Sequence, residues 1–134
     1  MNKPLFKSST STLTLENIMC CIFNIKPLDV AVYFILLKNG PSKVSRVAEL
    51  LNRDRSTIQR SVQNLINVGL VRRKQVNLRK GGYFYRYEAI PFNEVRCKLL
   101  RTMEEWCDQV RRWIDDIDNK DLEEYIEEYI KNKR

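Results

Sequence analysis

The sequence predicts a mainly α-helical fold with one small β-hairpin, an α+β chain in which a compact domain is followed by a helical arm. Three observations point that way. Apolar residues recur at helical spacing through most of the stretch before residue 70. Gly81-Gly82 separates two strand-like runs, as hairpin chemistry requires. Val95, Leu99, Met103, Trp106, Val110, Trp113 and Ile117 then follow one another at intervals of three or four, a near-heptad seam. A chain of 134 residues with 43% hydrophobic content fills one domain and an appended arm. The boundaries predicted are a flexible lead over 1–11, a compact domain over 12–90 and a helical arm over 91–134.

In order, the lead is rich in Ser and Thr and carries Pro4. A helix opens at Thr14 and runs to about Phe23 on Leu15, Ile18, Met19 and Ile22. Lys26-Pro27 breaks it, because proline restricts the residue before it and starts a new helix well. The next helix, Leu28 to Lys38, is nearly all apolar and should form the spine of the core, ending at Asn39-Gly40-Pro41. Ser42 to Leu51 follows as a third helix, with Val44, Val47, Ala48, Leu50 and Leu51 apolar. Ala48 is small enough to let a neighbouring helix approach closely. Asn52-Arg53 turns the chain into a fourth helix, 54–68.

That fourth helix carries the most information. Ile58, Val62, Leu65 and Ile66 make an apolar stripe that must be buried. The opposite face carries Arg55, Ser56, Thr57, Gln59, Arg60 and Gln63, with no acid after Asp54. Asp54 or Ser56 can cap the N-terminus, and Ser56 with Gln59 has capping-box spacing. Arginine pairs bidentately with guanine and glutamine with adenine, while hydroxyls and a helix N-terminus suit phosphates. Two short helices joined by a tight turn, the second polar and basic outside, form a helix-turn-helix pattern. Gly69 stops the helix, and two strands, Val71 to Leu78 and Tyr83 to Ala89, make a hairpin with Arg79-Lys80 at its tip.

The formal charge of +7 is unevenly spread. Between Lys38 and Ala89 there are 12 Lys or Arg against three acids, a net +9, whereas Ile90 to Arg134 holds 9 basic and 12 acidic residues, a net −3. A basic middle and an acidic end divide the labour, polyanion binding in one and helix–helix packing in the other.

Val44 to Ala89 resembles the winged helix-turn-helix of archaeal and bacterial transcription regulators, particularly the MarR and TrmB groups. The likeness is carried by Val47-Ala48-Glu49-Leu50-Leu51, by Asp54-Arg55-Ser56-Thr57-Ile58, and by Leu65-Ile66-Asn67-Val68-Gly69-Leu70-Val71-Arg72-Arg73. The last segment is similar to that family's junction between recognition helix and wing. The resemblance implies a dimeric regulator.

Together these readings point to a sequence-specific regulator of transcription that binds double-stranded DNA as a homodimer. Arg55, Gln59, Arg60 and Gln63 are expected nearest base edges, with Ser56, Thr57, Lys43 and Arg46 near phosphates. Arg72, Arg79 and Lys80 are expected to carry the wing's contacts to the backbone or adjacent minor groove. The alternative is a winged-helix protein–protein module of a transcription-related complex that does not bind DNA specifically.

The arm's seam is a coiled-coil-like dimerisation surface, because two Trp on one stripe are hard to cover with the 14 residues that follow; an αα-hairpin within one chain is the alternative. Leu122, Tyr125, Ile126, Tyr129 and Ile130 start a second amphipathic helix after Asn119-Lys120-Asp121.

No metal, cofactor or enzymatic chemistry is expected. There is no histidine, no glycine-rich phosphate loop and no Cys-x-x-Cys pair. Cys20, Cys21, Cys97 and Cys107 read as small buried hydrophobes, with a thiol switch as the alternative. The longest apolar run, Val30 to Leu37, is far too short for a membrane span, so a cytoplasmic, nucleoid-associated protein is expected. The effector, if any, is not specified by these residues.

Overall fold

The computed structural model describes residues 4–7 and 12–133. Its elements are β1 (Pro4–Lys7), β2 (Thr12–Thr14), α1 (Leu15–Phe23), α2 (Pro27–Asn39), α3 (Val44–Leu51), α4 (Arg55–Asn67), β3 (Val71–Asn77), β4 (Tyr83–Ala89), α5 (Phe92–Asp116) and α6 (Asn119–Lys133). The chain divides into two compact units, Met1–Leu100 and Arg101–Arg134. The division falls inside α5, ten residues beyond the expected boundary at 90, because the first turns of α5 belong to the core of the first unit.

Pro4–Lys7 pairs antiparallel with Thr12–Thr14, where the sequence reads as a flexible lead. Residues 1–3 and 8–11 of that lead lie outside the described residues. Thr14 accepts a hydrogen bond from the Asn17 amide (3.1 Å) and caps α1. Pro27 then sets the first turn of α2. As expected of a spine, α2 is buried on most sides, with Val30, Val32, Tyr33 and Leu36 almost fully covered. The Tyr33 hydroxyl donates to the Ile90 carbonyl (2.7 Å), satisfying a phenol that burial would otherwise penalise.

The third helix begins at Val44 rather than Ser42. Ser42 and Tyr87 instead exchange both backbone hydrogen bonds, 3.0 and 2.8 Å, so Ser42 adds a one-residue strand to the free edge of β4. This stitches the loop before α3 to the base of the hairpin. Asn52 ends α3 in the left-handed region (φ 53°), a conformation asparagine tolerates. The turn into α4 is therefore tight.

On the inner face of α4, Ile58, Val62 and Leu65 are fully buried against the core. Each such burial is worth about 1.5–3 kcal/mol. At the other end, Lys98 of α5 donates to the Val68 carbonyl (2.6 Å) and caps α4 beside Gly69. Gly69 has φ +79°, and a Cβ there would lie 2.1 Å from the Lys98 ammonium. The positive φ favours glycine at this position, and a side chain there would push the Lys98 ammonium off its bond to Val68.

β3 and β4 form a regular antiparallel hairpin from Val71↔Ala89 to Asn77↔Tyr83. Its turn is closed by Leu78 N–H to Gly82 (3.0 Å) and Gly81 N–H to Leu78 (3.2 Å). Both turn glycines have positive φ.

No single helix among the described residues is long and apolar enough to cross a membrane. Helices α1 and α2 approach that composition together, but they meet at a bend of 113° and supply the buried core.

The predicted seam helix is present as α5, which belongs to the second unit from Arg101 on, but Ile117 falls in the break after it. Asp118 and Asp121 exchange capping hydrogen bonds there, 2.8 and 3.3 Å, and start α6. Trp113 meets Tyr125 edge-on with ring centroids 5.8 Å apart. The α6 stripe of Leu122, Tyr125, Ile126, Tyr129 and Ile130 is exposed, so the two helices of this unit do not bury each other's apolar faces.

Candidate nucleic-acid interface

The outward face of α4 is polar, basic and open. Arg55, Ser56, Gln59, Arg60 and Gln63 are exposed, and Thr57 is half-buried. Asp54 is the N-cap: it accepts from the Thr57 amide (3.2 Å), the Thr57 hydroxyl (2.6 Å) and the Ser56 hydroxyl. These bonds, led by that from Ser56, hold the Asp54 carboxyl well below the usual carboxylate range.

Of the two caps the sequence offers, Asp54 is the one used, and both hydroxyls expected to meet phosphates donate to its carboxylate. The start of α4 is therefore not a free anion site.

The remaining α4 side chains are aimed by local partners. Arg60 donates to the Thr57 hydroxyl (3.3 Å), and Gln63 donates to the Asn67 side chain (3.0 Å). Gln59 donates to the Tyr87 hydroxyl (3.2 Å), tying the helix to the hairpin. Arg55 makes no hydrogen bond or ion pair among the described residues.

Beside Arg55 and Gln59, a shallow cleft of about 180 Å³ is lined by Lys43, Val44, Ser45, Phe84, Tyr85 and Tyr87. The Lys43 ammonium stands 4.2 Å from the Phe84 ring centre, and the Arg73 guanidinium lies 4.2 Å over Tyr85. The flank of α4 is thus a floor of aromatic rings carrying cations.

Arg79 and Lys80 are exposed at the hairpin tip, as predicted. Arg72 is not free: it and Lys74 both bind Glu88, Lys74 at 3.0 Å, and this lowers the Glu88 carboxyl, chiefly through Arg72. Arg46 lies 3.8 Å from Glu49, an exposed pair of little strength.

Along the seam, Val95 is only 1% exposed and belongs to the core of the first unit, with Leu99 partly buried against it. Val95 is therefore spent within the chain, and Leu99 is so in part. Met103, Trp106 and Trp113 are exposed, Trp106 by 49% and Trp113 by 52%, while Val110 and Ile117 are half-buried.

All four cysteines are free thiols. Only Cys20 is half-buried, its thiol pushed up chiefly by burial; Cys21, Cys97 and Cys107 are exposed rather than buried as expected.

Residues that sequence reasoning missed include Asp29, Ser61, Tyr87 and Lys98. Asp29 and Ser61 had a signal: one is an acid inside an apolar run, the other a hydroxyl beside a buried stripe. Each needs a partner that only tertiary structure supplies.

A helix-turn-helix packed on an apolar spine, followed by a basic two-stranded wing, defines a winged-helix domain of the kind found in DNA-binding transcriptional regulators. The model of the sugar-specific transcriptional regulator family TrmB matches residues 19–93, and the chain belongs to that family. Of the two groups the sequence resembles, TrmB is the one this match supports.

An uncharacterized protein of Methanocaldococcus jannaschii is 52% identical over 132 residues, covering 98% of each chain. A second from the same organism is 38% identical over 101 residues, covering 75% of this chain and 83% of its own. Among solved structures, one described as a possible transcriptional regulator from Methanosarcina mazei is similar with a TM-score of 0.72 at 25% identity, covering 85% of this chain and 97% of that one. The ST1889 protein of Sulfolobus tokodaii shares the fold with a TM-score of 0.59 at 21% identity, covering 71% and 93%. Family and fold are those of transcriptional regulators rather than enzymes.

Proposed function

We propose that the chain regulates transcription by binding specific double-stranded DNA sequences as a homodimer. The observation that carries this reading is the outward face of α4. Arg55, Gln59, Arg60 and Gln63 stand exposed on a helix whose opposite face is sealed into the core. In a major groove, Arg55 and Arg60 would read guanine, and Gln59 and Gln63 adenine. Lys43, which lines the cleft, and Arg46 on α3 would hold one phosphate backbone, and Arg79 and Lys80 would reach the backbone or adjacent minor groove. Arg72 contributes less than its position in the sequence implies, because Glu88 neutralises it.

Homodimerisation is supported by the arm. Trp106, Trp113 and Ile114 on α5 and the α6 stripe are exposed together, more apolar surface than a lone chain this small commonly leaves in water. Met103, Trp106, Val110, Trp113 and Ile117 are the residues we assign to the contact. A two-fold dimer would read a pseudo-palindrome.

The test is selection of bound duplexes from a random pool, with the mass of the particle measured alongside. The reading requires a recovered two-fold motif and a dimeric mass. A pool that returns unenriched overturns it.

A further inference from the structure

The apolar stripe of α4 holds the helix to the core but does not by itself fix its setting. Contacts made by Ile58, Val62 and Leu65 are individually non-directional, so they resist a few degrees of rotation less sharply than a buried hydrogen bond does. Such a rotation is not small for the outward residues. A guanidinium roughly 9 Å from the helix axis moves by about 1.5 Å for a turn of about 10°, enough to break a base contact.

Directional contacts tie α4 on its exposed flank, Gln59 to Tyr87, and at its end, Lys98 to the Val68 carbonyl; on its buried face the directional contact is that of Ser61. The Ser61 hydroxyl donates to Asp29 Oδ1 at 2.6 Å, and both residues are only 2% exposed. The other oxygen of Asp29 accepts from the Lys26 amide at 3.0 Å, which anchors the carboxylate to the first turn of α2. No cation pairs with Asp29 among the described residues. A buried carboxylate held in this way adds little net stability compared with an apolar pair of the same shape. What it supplies is a fixed direction between the spine helix and the helix resting on it.

We propose that Asp29 and Ser61 are positioning residues for sequence reading: their buried hydrogen bond sets the rotation of α4 and so aims Arg55, Gln59, Arg60 and Gln63. This inference rests on the DNA-reading function proposed above. It goes further by assigning selectivity to two side chains that touch no DNA.

The test measures affinity for the selected duplex and for random duplexes, each across a salt series, well below the melting temperature. The chains compared are the wild type, Ser61→Ala, Asp29→Ala and the double variant. Ser61→Ala is expected to lower the ratio of selected to random affinity by about tenfold, within the range of one lost bidentate base contact. Binding to random DNA and its salt slope should not change, because the wing and Lys43 remain in place.

The double variant should be no less selective than the poorer single variant, since both singles break the same bond. Ser61→Ala removes one oxygen and decides the matter alone if the Asp29 variants do not fold. An unchanged ratio in Ser61→Ala, with the wild type selective, overturns the positioning role and leaves the DNA-reading function standing. A wild type with no selectivity overturns both.

Discussion

Replacing Arg79 and Lys80 with alanine should flatten the salt dependence of DNA binding by an amount that follows from which cations are free. Glu88 is bonded to both Arg72 and Lys74 and offsets one of their two charges, so Arg72, the closer of the two, releases few counterions. Lys43 keeps its charge available over the Phe84 ring, and the Arg46–Glu49 pair is loose at 3.8 Å. Of the cations assigned to phosphates, Lys43, Arg46, Arg79 and Lys80 thus remain on each protomer, and twice that number in a dimer. The slope of log affinity against log salt should be about −7 for the wild type and about −4 once both tip cations are gone from each protomer. Between 50 and 200 mM salt, that is a loss of about 10⁴ in affinity against about 10². Fluorescence anisotropy titrations of one labelled duplex at three salt concentrations measure both slopes. Arg72→Ala is the control and should leave the slope near wild type. A double variant with the wild-type slope, or an Arg72→Ala change as large as that of the tip variant, would refute the assignment.

Arg60→Ala should cost about 1–3 kcal/mol on the selected duplex and little on random ones, whereas Lys80→Ala should weaken both alike; paired titrations separate the two patterns. Asp54→Asn should keep the cap of α4, since asparagine caps about as well as aspartate, while removing a negative charge from a DNA-facing surface. Its melting temperature should fall modestly, because Asn offers one acceptor oxygen where the carboxylate offers two to Ser56 and Thr57, and its affinity for random duplexes should rise; a fall in that affinity would count against α4 approaching DNA. The Tyr33 phenol, buried among α2 and its neighbours, is pushed up to about 12 from an ordinary value of about 10. Its contribution to stability is therefore complete below about pH 10 and lost as pH rises through about 12. Phenolate absorbance followed with circular dichroism should show a component that titrates late and together with unfolding, and that is missing in Tyr33→Phe. A titration curve left unchanged by Tyr33→Phe would contradict the burial argument.

Local signals were enough for most of the fold. The stripe of Ile58, Val62 and Leu65, the stop at Gly69 and the turn at Gly81-Gly82 each act within a few residues, so periodicity and turn chemistry expose them. The outward face of α4 was readable for the same reason, since it is what remains once the stripe is assigned. The failures are non-local. Ser42 is extended because Tyr87, far along the chain, offers it a strand edge. Val95 fits the arm's seam by spacing, yet the core of the first unit claims it. Ser56 and Thr57 look like phosphate donors until Asp54 is seen to bind both. Arg72 looks like a free cation until strand register brings Glu88 opposite.

The account stands on the aimed outer face of α4, and the most direct test is the wild-type ratio of affinities for the selected duplex and for random duplexes at physiological salt. A helix reading base edges should give a ratio of about 10³ or more. Equal affinities for every duplex would contradict it and leave a basic surface that binds DNA without reading it.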